Sequence, residues 1–124
     1  MQDYELMAWL GPAADELTPE QIERVAGEAR RIADYYPDPD EQPERDAALS
    51  AVVQYLLGET TPEDAGRALI EVRRREAEAY AAAQWIGVML VRDGSQDAPA
   101  ARRAGIGRMG LLEALGKRPR RRKR

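Results

Sequence analysis

The sequence contains no cysteine, no histidine and no phenylalanine. Without cysteine there is no disulfide framework and no thiolate nucleophile. Without histidine the familiar zinc ligand sets and histidine-based general acid–base catalysis are excluded. Ser50 and Ser95 are the only serines, and no imidazole exists to activate them. We therefore expect a protein that is not an enzyme and that holds no metal and no cofactor.

The sequence also lacks an apolar run long enough to span a bilayer, and its start, MQDYELMAWLG, is acidic where a signal peptide would be positively charged. A cytoplasmic protein without a membrane segment is expected. Arginine supplies seventeen of the nineteen basic residues, and asparagine is absent. This bias is typical of G+C-rich coding DNA and indicates a bacterial source.

The 124 residues fit one domain, or a small domain with an appended arm, and the many alanines favour a modest helical core. Thr18, Pro19 and Gln21 form a capping-box pattern that predicts a helix start. The run Pro37–Pro43 predicts an acidic linker, because prolines cannot continue a helix. A second helix is predicted from about residue 44 to residue 57, and its stretch ALSAVVQYLL marks it as the central, buried helix.

A third and longest helix is predicted from Thr61 to about residue 92. One line of residues along it, which we call the α4 seam, follows a 3.5-residue repeat that only a glutamate interrupts: Ala65, Leu69, Val72, Glu76, Ala79, Ala83, Ile86 and Leu90. The repeat fits either packing inside the chain or a homodimer through the 61–92 helix. We favour packing inside the chain, because the second helix needs a partner that buries its apolar surface.

Two short helices are predicted after Gly94, with Ser95 or Asp97 as the first N-cap. Gly105 ends the first helix in a left-handed turn, and Ile106 fills the turn as an apolar plug. Small residues are expected where the two helices cross closely. The inward positions of this unit are expected to include residues of the preceding helix: Ala83, Trp85, Ile86, Leu90, Ala100, Ala101, Ala104, Leu111, Ala114 and Leu115.

The segment AARRAGIGRMGLLEALG (Ala100–Gly116), with the preceding helix from Tyr80, resembles the helix-turn-helix family of bacterial DNA-binding proteins. The resemblance covers the last third of the chain, and it implies that the second helix enters the major groove. The outward positions there are Gly107, Arg108, Met109, Leu112 and Glu113.

These outward residues imply a mixed reading surface. Arg108 is suited to guanine, and Met109 or Leu112 to a thymine methyl group, although packing explains those two apolar residues equally well. Arg102 and Arg103 on the first helix are suited to phosphates. Gly110 departs from the family pattern, weakens the helix and leaves room for close backbone approach to DNA.

Charge is divided along the chain. Residues 95–124 carry ten basic and two acidic side chains, a net of +8, whereas residues 1–94 carry nine basic and twenty acidic side chains, a net of −11. This asymmetry indicates a polyanion-binding end. Four to six phosphate contacts by the tail would give a log–log salt slope of roughly −4 to −5. The tail bases are Lys117, Arg118, Arg120, Arg121, Arg122, Lys123 and Arg124.

Together these patterns predict an all-α protein, a small helical bundle with a C-terminal trihelical helix-turn-helix unit and a basic tail. The expected divisions are 1–60, 61–116 and 117–124. The leading hypothesis is a nucleoid-associated protein that binds double-stranded DNA, as a transcriptional regulator or a mobile-element accessory factor. The alternative is an antitoxin-like or adaptor module, in which the acidic N-terminal region meets a basic protein partner and the tail binds polyanions nonspecifically.

Overall fold

The computed structural model describes residues 3–120 of the chain. Within that range all regular structure is helical, so the predicted all-α class is confirmed. The α-helices are α1 (Asp3–Leu10), α2 (Pro19–Tyr35), α3 (Gln42–Leu56), α4 (Pro62–Arg92), α5 (Asp97–Ala104) and α6 (Arg108–Ala114), and short 3-10 turns lie at Gly11–Asp15 and Pro39–Glu41.

The chain divides into two compact units, which we call the N-terminal unit (Met1–Gly66) and the C-terminal unit (Arg67–Arg124). Their boundary lies inside α4, within a continuous helix and not in a proline- or glycine-rich linker. The three-part division expected from the sequence stays a prediction.

The N-terminal unit is organised by the capping box that the sequence predicts. The Gln21 backbone N–H donates to Thr18 Oγ1 at 3.1 Å, and the Thr18 N–H donates to Gln21 Oε1 at 2.8 Å. The Gln21 side chain also donates to the Leu56 carbonyl at 3.2 Å. One glutamine thereby begins α2 and satisfies a carbonyl at the end of α3, which fixes these two helix ends together.

The core of the N-terminal unit lies between α1, α2 and α3. Val25 of α2 is fully buried and packs with Leu49 and Val53 of α3. Leu6 and Leu10 are buried in the same cluster, so α1 docks on this core. The expectation that α3 is buried on most sides is wrong in one respect, because Tyr55 is 58 % exposed.

The segment between α2 and α3 is more structured than the predicted linker. Asp38 caps a 3-10 turn by accepting the Asp40 N–H at 2.9 Å, and α3 begins at Gln42, two residues before the predicted start. The Arg45 guanidinium donates to the carbonyls of Tyr36 and Asp38 and so holds the turn against the first turn of α3.

In the C-terminal unit, the last turns of α4 form a core with α5 and α6. Val88, Ala100 and Leu111 have no exposed surface, and Leu90 and Val91 pack against them. The predicted core residues Trp85 and Ile86 are instead 53 % and 60 % exposed. Residues 85–91 are apolar on every side, so helical periodicity alone does not select the face that packs.

The rest of α4 is solvent-exposed. Residues 62–82 are exposed, except that Glu71 is partly covered. Leu69 and Val72 are 50 % and 57 % exposed. Within the C-terminal unit, the α4 seam from Leu69 to Ala79 is therefore exposed, and packing of the second helix against the seam stays a prediction. Among the described helices, none has the length and apolar character needed to cross a membrane.

Candidate nucleic-acid interface

A three-residue turn joins α5 to α6. Gly105 lies in the left-handed region with φ +73°, as predicted. Its N–H donates to the Arg102 carbonyl at 3.2 Å, and the Ile106 N–H donates to the Ala101 carbonyl at 3.0 Å. These two bonds close the end of α5 in the manner of a Schellman motif. The chain then reverses within three residues, and Gly107 becomes the N-cap of α6.

The start of α5 differs from the predicted start. Its N-cap is Gln96, which makes no side-chain capping bond, and Asp97 lies in the first helical turn. The Asp97 carboxylate instead accepts a hydrogen bond from Arg108 Nε at 3.1 Å. A side chain expected to cap α5 therefore connects the first turns of α5 and α6.

Close packing of α6 on α4 depends on Gly87, which no pattern in the sequence identifies. A Cβ on Gly87 would lie 3.1 Å from Leu111 Cδ1 and 3.5 Å from Ile106 Cδ1. The neighbours of Gly87 include the turn residue and the buried leucine of α6, so a large side chain there would force these neighbours to shift.

Gly110 has a different role from the one expected. A Cβ at this position would overlap the Tyr80 hydroxyl, and the Gly110 carbonyl accepts a hydrogen bond from Gln84 Nε2 at 2.8 Å. Gly110 therefore faces α4 and does not serve close approach to DNA. Tyr80 and Gln84 position α6, and no local pattern in the sequence signals either of them.

Most of the predicted contact residues on α5 and α6 lie at the surface. Arg102, Arg103, Gly107 and Arg108 are exposed, and Met109 is 46 % exposed. The prediction for Leu112 is wrong, because this side chain is only 9 % exposed and faces the protein interior. Among the two explanations for Leu112, packing is the correct one.

The basic residues that follow α6 are exposed as far as the structure describes them. Lys117, Arg118 and Arg120 lie at the surface, and the Arg118 guanidinium folds back to contact the Met109 thioether. The Arg118 side chain thus lies against an outward residue of that helix. The other predicted tail contacts lie outside the described residues: Arg121, Arg122, Lys123 and Arg124.

Arg108 is held in one orientation by its ion pair with Asp97. The two side chains are 54 % and 23 % exposed. The hydrogen bond from Arg108 is the main cause that lowers the pKa of Asp97 below its ordinary value of 3.8, and the positive charge of Arg108 adds to the effect. A surface pair of this kind contributes little stability. Its main effect is to restrict the rotamers of Arg108.

The pair has a testable pH dependence. A lowered pKa in the folded state means that the pair stabilises the protein above pH 3.8 and that this contribution is lost as pH falls through the folded-state pKa. We expect Asp97→Asn to be slightly less stable than the wild type at neutral pH and equally stable once Asp97 is protonated. Urea unfolding across this range measures the difference.

The matched control for this measurement is Asp93→Asn, which removes an exposed carboxylate that makes no ion pair within the described part of the chain. The difference in stability between this variant and the wild type is expected not to shrink as the pH falls. An Asp97→Asn difference that persists unchanged into acid would contradict the assignment.

The division of charge coincides with the division of structure. The N-terminal unit carries four basic and sixteen acidic residues, a net of −12, and the C-terminal unit carries fifteen basic and six acidic residues, a net of +9. The difference is larger than the one seen when the chain is cut at residue 94. The additional positive charge comes mainly from α4, through Arg67, Arg73, Arg74 and Arg75.

A groove of about 830 Å³ lies within the C-terminal unit, between α4 and the end of α6. Tyr80 and Trp85 supply apolar surface, and the groove has both basic and acidic residues at its edges, including Arg73 and Glu113. Opposed charges at this spacing do not favour a phosphate or any other ligand of one sign. No group of acidic side chains among residues 3–120 is arranged to hold a metal ion.

Searches of protein-family models, of curated proteins and of solved structures find no match to this chain. The resemblance to the helix-turn-helix family therefore stays a prediction that the geometry of α5 and α6 has to support by itself.

Proposed function

We propose that the C-terminal unit binds double-stranded DNA, with α6 facing the major groove, and that the protein acts as a small transcriptional regulator or mobile-element accessory factor. One observation carries the proposal. The basic side chains of residues 95–120 are all exposed, and they lie on α5, on the first turn of α6 and directly after α6: Arg102, Arg103, Arg108, Lys117, Arg118 and Arg120.

The roles of these side chains follow from their positions. Arg108, oriented by Asp97, lies at the start of α6, where base edges are reached in helix-turn-helix proteins. A bidentate contact to guanine is the typical use of such an arginine. Arg102 and Arg103 lie on the exposed side of α5 and are suited to phosphates. Met109 supplies an apolar contact beside Arg108.

The proposal implies strong but weakly selective binding. The seven residues of α6 extend over only about 10 Å, and Leu112 is buried, so few side chains remain to read bases. Phosphate contacts supply most of the affinity, and such binding depends steeply on salt.

The test is the salt dependence of binding to a random-sequence duplex, measured by fluorescence anisotropy. The full chain is expected to give a log–log slope of roughly −6 to −7, because phosphate contacts of Arg102 and Arg103 add to the roughly −4 to −5 from the tail, and a chain ending at Gly116 is expected to give a slope of roughly −2. Failure of both chains to bind at low salt would refute the proposal. If deletion of the tail abolished all binding, and the full chain showed no sequence preference, α6 would not be part of the interface.

A matched pair of variants separates local contacts from net charge. Replacement of Lys117, Arg118 and Arg120 by glutamine removes three exposed charges beside α6, and it is expected to reduce the slope by roughly 2 to 3. Replacement of Arg24, Arg30 and Arg31, three exposed arginines of α2, removes the same charge from the N-terminal unit. The α2 variant is expected to leave the slope nearly unchanged.

A second function is favoured by the net charge of −12 on the N-terminal unit. A surface of this charge is suited to a basic protein partner. In that case the protein is an adaptor or antitoxin-like module. A stoichiometric complex formed through residues 1–66, together with no DNA binding by the full chain, would favour this function over the first.

A further inference from the structure

The α4 seam exposes a line of apolar side chains along one face of a long helix. A helix in water is stabilised mainly by packing an apolar face, yet the seam residues from Leu69 to Ala79 are exposed. Leu69, Val72 and Ile86 are 50 %, 57 % and 60 % exposed, and all three lie on the α4 seam. This line of apolar residues requires a partner.

Several charges near the middle of α4 are satisfied within the helix itself. Arg74 donates to both carboxylate oxygens of Glu71 at 2.7 Å, and Arg75 Nε lies 3.3 Å from the same carboxylate. Glu76 within the seam and Arg73 beside it make no such pair within residues 3–120. These two charges are therefore available to a partner.

We propose that the α4 seam binds a second copy of this chain, with the two α4 helices antiparallel and centred near Arg74. This centre places the uncovered segment from Pro62 to Ile86 of one copy along the same segment of the other. It leaves out Leu90, the last residue of the seam, which already packs in the core with α5 and α6.

The position of Glu76 determines whether the two α4 helices run parallel or antiparallel. In a parallel pair in register, the two Glu76 carboxylates would face each other inside the seam, which is unfavourable without a counter-ion. In the antiparallel pair, Glu76 is level with Val72 of the second copy, and Arg73 of the second copy is only about 1.5 Å further along the axis. By symmetry the pair forms twice.

Side-chain size agrees with this register. Leu69 lies level with Ala79 of the second copy, and Ala65 lies level with Ala83. A large side chain therefore meets a small one, and alanine meets alanine, so the helices can approach closely. The apolar area is modest, so we expect a reversible dimer and not a permanent one.

The proposal does not depend on DNA binding, and its test uses the full chain without DNA. Sedimentation velocity is expected to show a concentration-dependent dimer, and Val72→Glu is expected to weaken dimerisation by roughly a hundredfold because it buries an uncompensated charge. The control is Ile70→Glu, the same type of change at a residue that is 66 % exposed and lies about 100° or more around the helix from the seam. Circular dichroism checks that both variants keep their helices.

Direction is tested by cysteines, since the natural sequence has none. A mixture of Val72→Cys and Glu76→Cys chains is expected to form the mixed disulfide faster than either variant cross-links to itself. Preferential self-cross-linking of the Val72→Cys chain would show a parallel pair and overturn the proposed direction. A chain that stays monomeric at high concentration, or a dimer as sensitive to Ile70→Glu as to Val72→Glu, would overturn the interface.

Discussion

Leucine at position 87 is expected to displace α5 and α6 from α4 and to lower the free energy of unfolding of the C-terminal unit by about 2 kcal/mol or more. Even a Cβ on Gly87 would lie 3.1 Å from Leu111 Cδ1, and Leu111 is fully buried. The further atoms of a leucine side chain would crowd this neighbour more. Leucine is the better helix former by about 0.8–1 kcal/mol, so the loss reflects overpacking and not propensity.

The same helix offers the control. Gly66 has no atom near the position of its missing Cβ, so Gly66→Leu is expected to stabilise α4 by about 0.5–1 kcal/mol. Urea unfolding followed by Trp85 fluorescence in a Trp9→Phe background reports on α4 and the C-terminal unit, because Trp85 lies on α4 and Trp9 belongs to the other unit. Equal stability of Gly87→Leu and the wild type would mean that α6 does not pack on α4 at this glycine.

The second large effect concerns sequence selectivity. Selection of bound duplexes from a random pool should first yield a preferred site. On that site Arg108→Ala is expected to weaken binding by roughly 5- to 150-fold, the usual value of one bidentate base contact. On random DNA the loss should be only a few-fold, because a base-reading arginine contributes little there.

Arg102→Ala is the comparison variant, since this exposed arginine lies on α5 outside the reading helix. It is expected to weaken both duplexes equally and to reduce the salt slope by about 1. If Arg108→Ala behaved in the same way as Arg102→Ala, Arg108 would be a phosphate contact, and any selectivity would have to come from elsewhere.

The features that were predicted correctly from the sequence are those with a local cause. Thr18 and Gln21 are three residues apart, and their reciprocal bonds need nothing beyond the first turn of α2. Gly105 takes the left-handed conformation because a tight turn demands it there. The all-α class follows in the same way from repeated helix signals.

The features that were missed depend on which face of a helix meets its neighbour. Trp85, Ile86 and Leu112 were assigned to the wrong faces, because the apolar residues around them occupy every side of their helices. The contact of Gly110 with Tyr80 joins positions thirty residues apart, and no periodicity relates them.

The length of α4 has a consequence for the DNA sequence that the protein would select. In an antiparallel pair centred near Arg74, the two Gly87 positions are separated by about 39 Å along the helix axis. One turn of B-DNA, which separates half-sites read by paired helix-turn-helix units, measures about 34–36 Å. The length of α4 would then set the spacing between the two DNA-binding units of the dimer. The selected operator should be an inverted repeat with its half-sites about one turn apart.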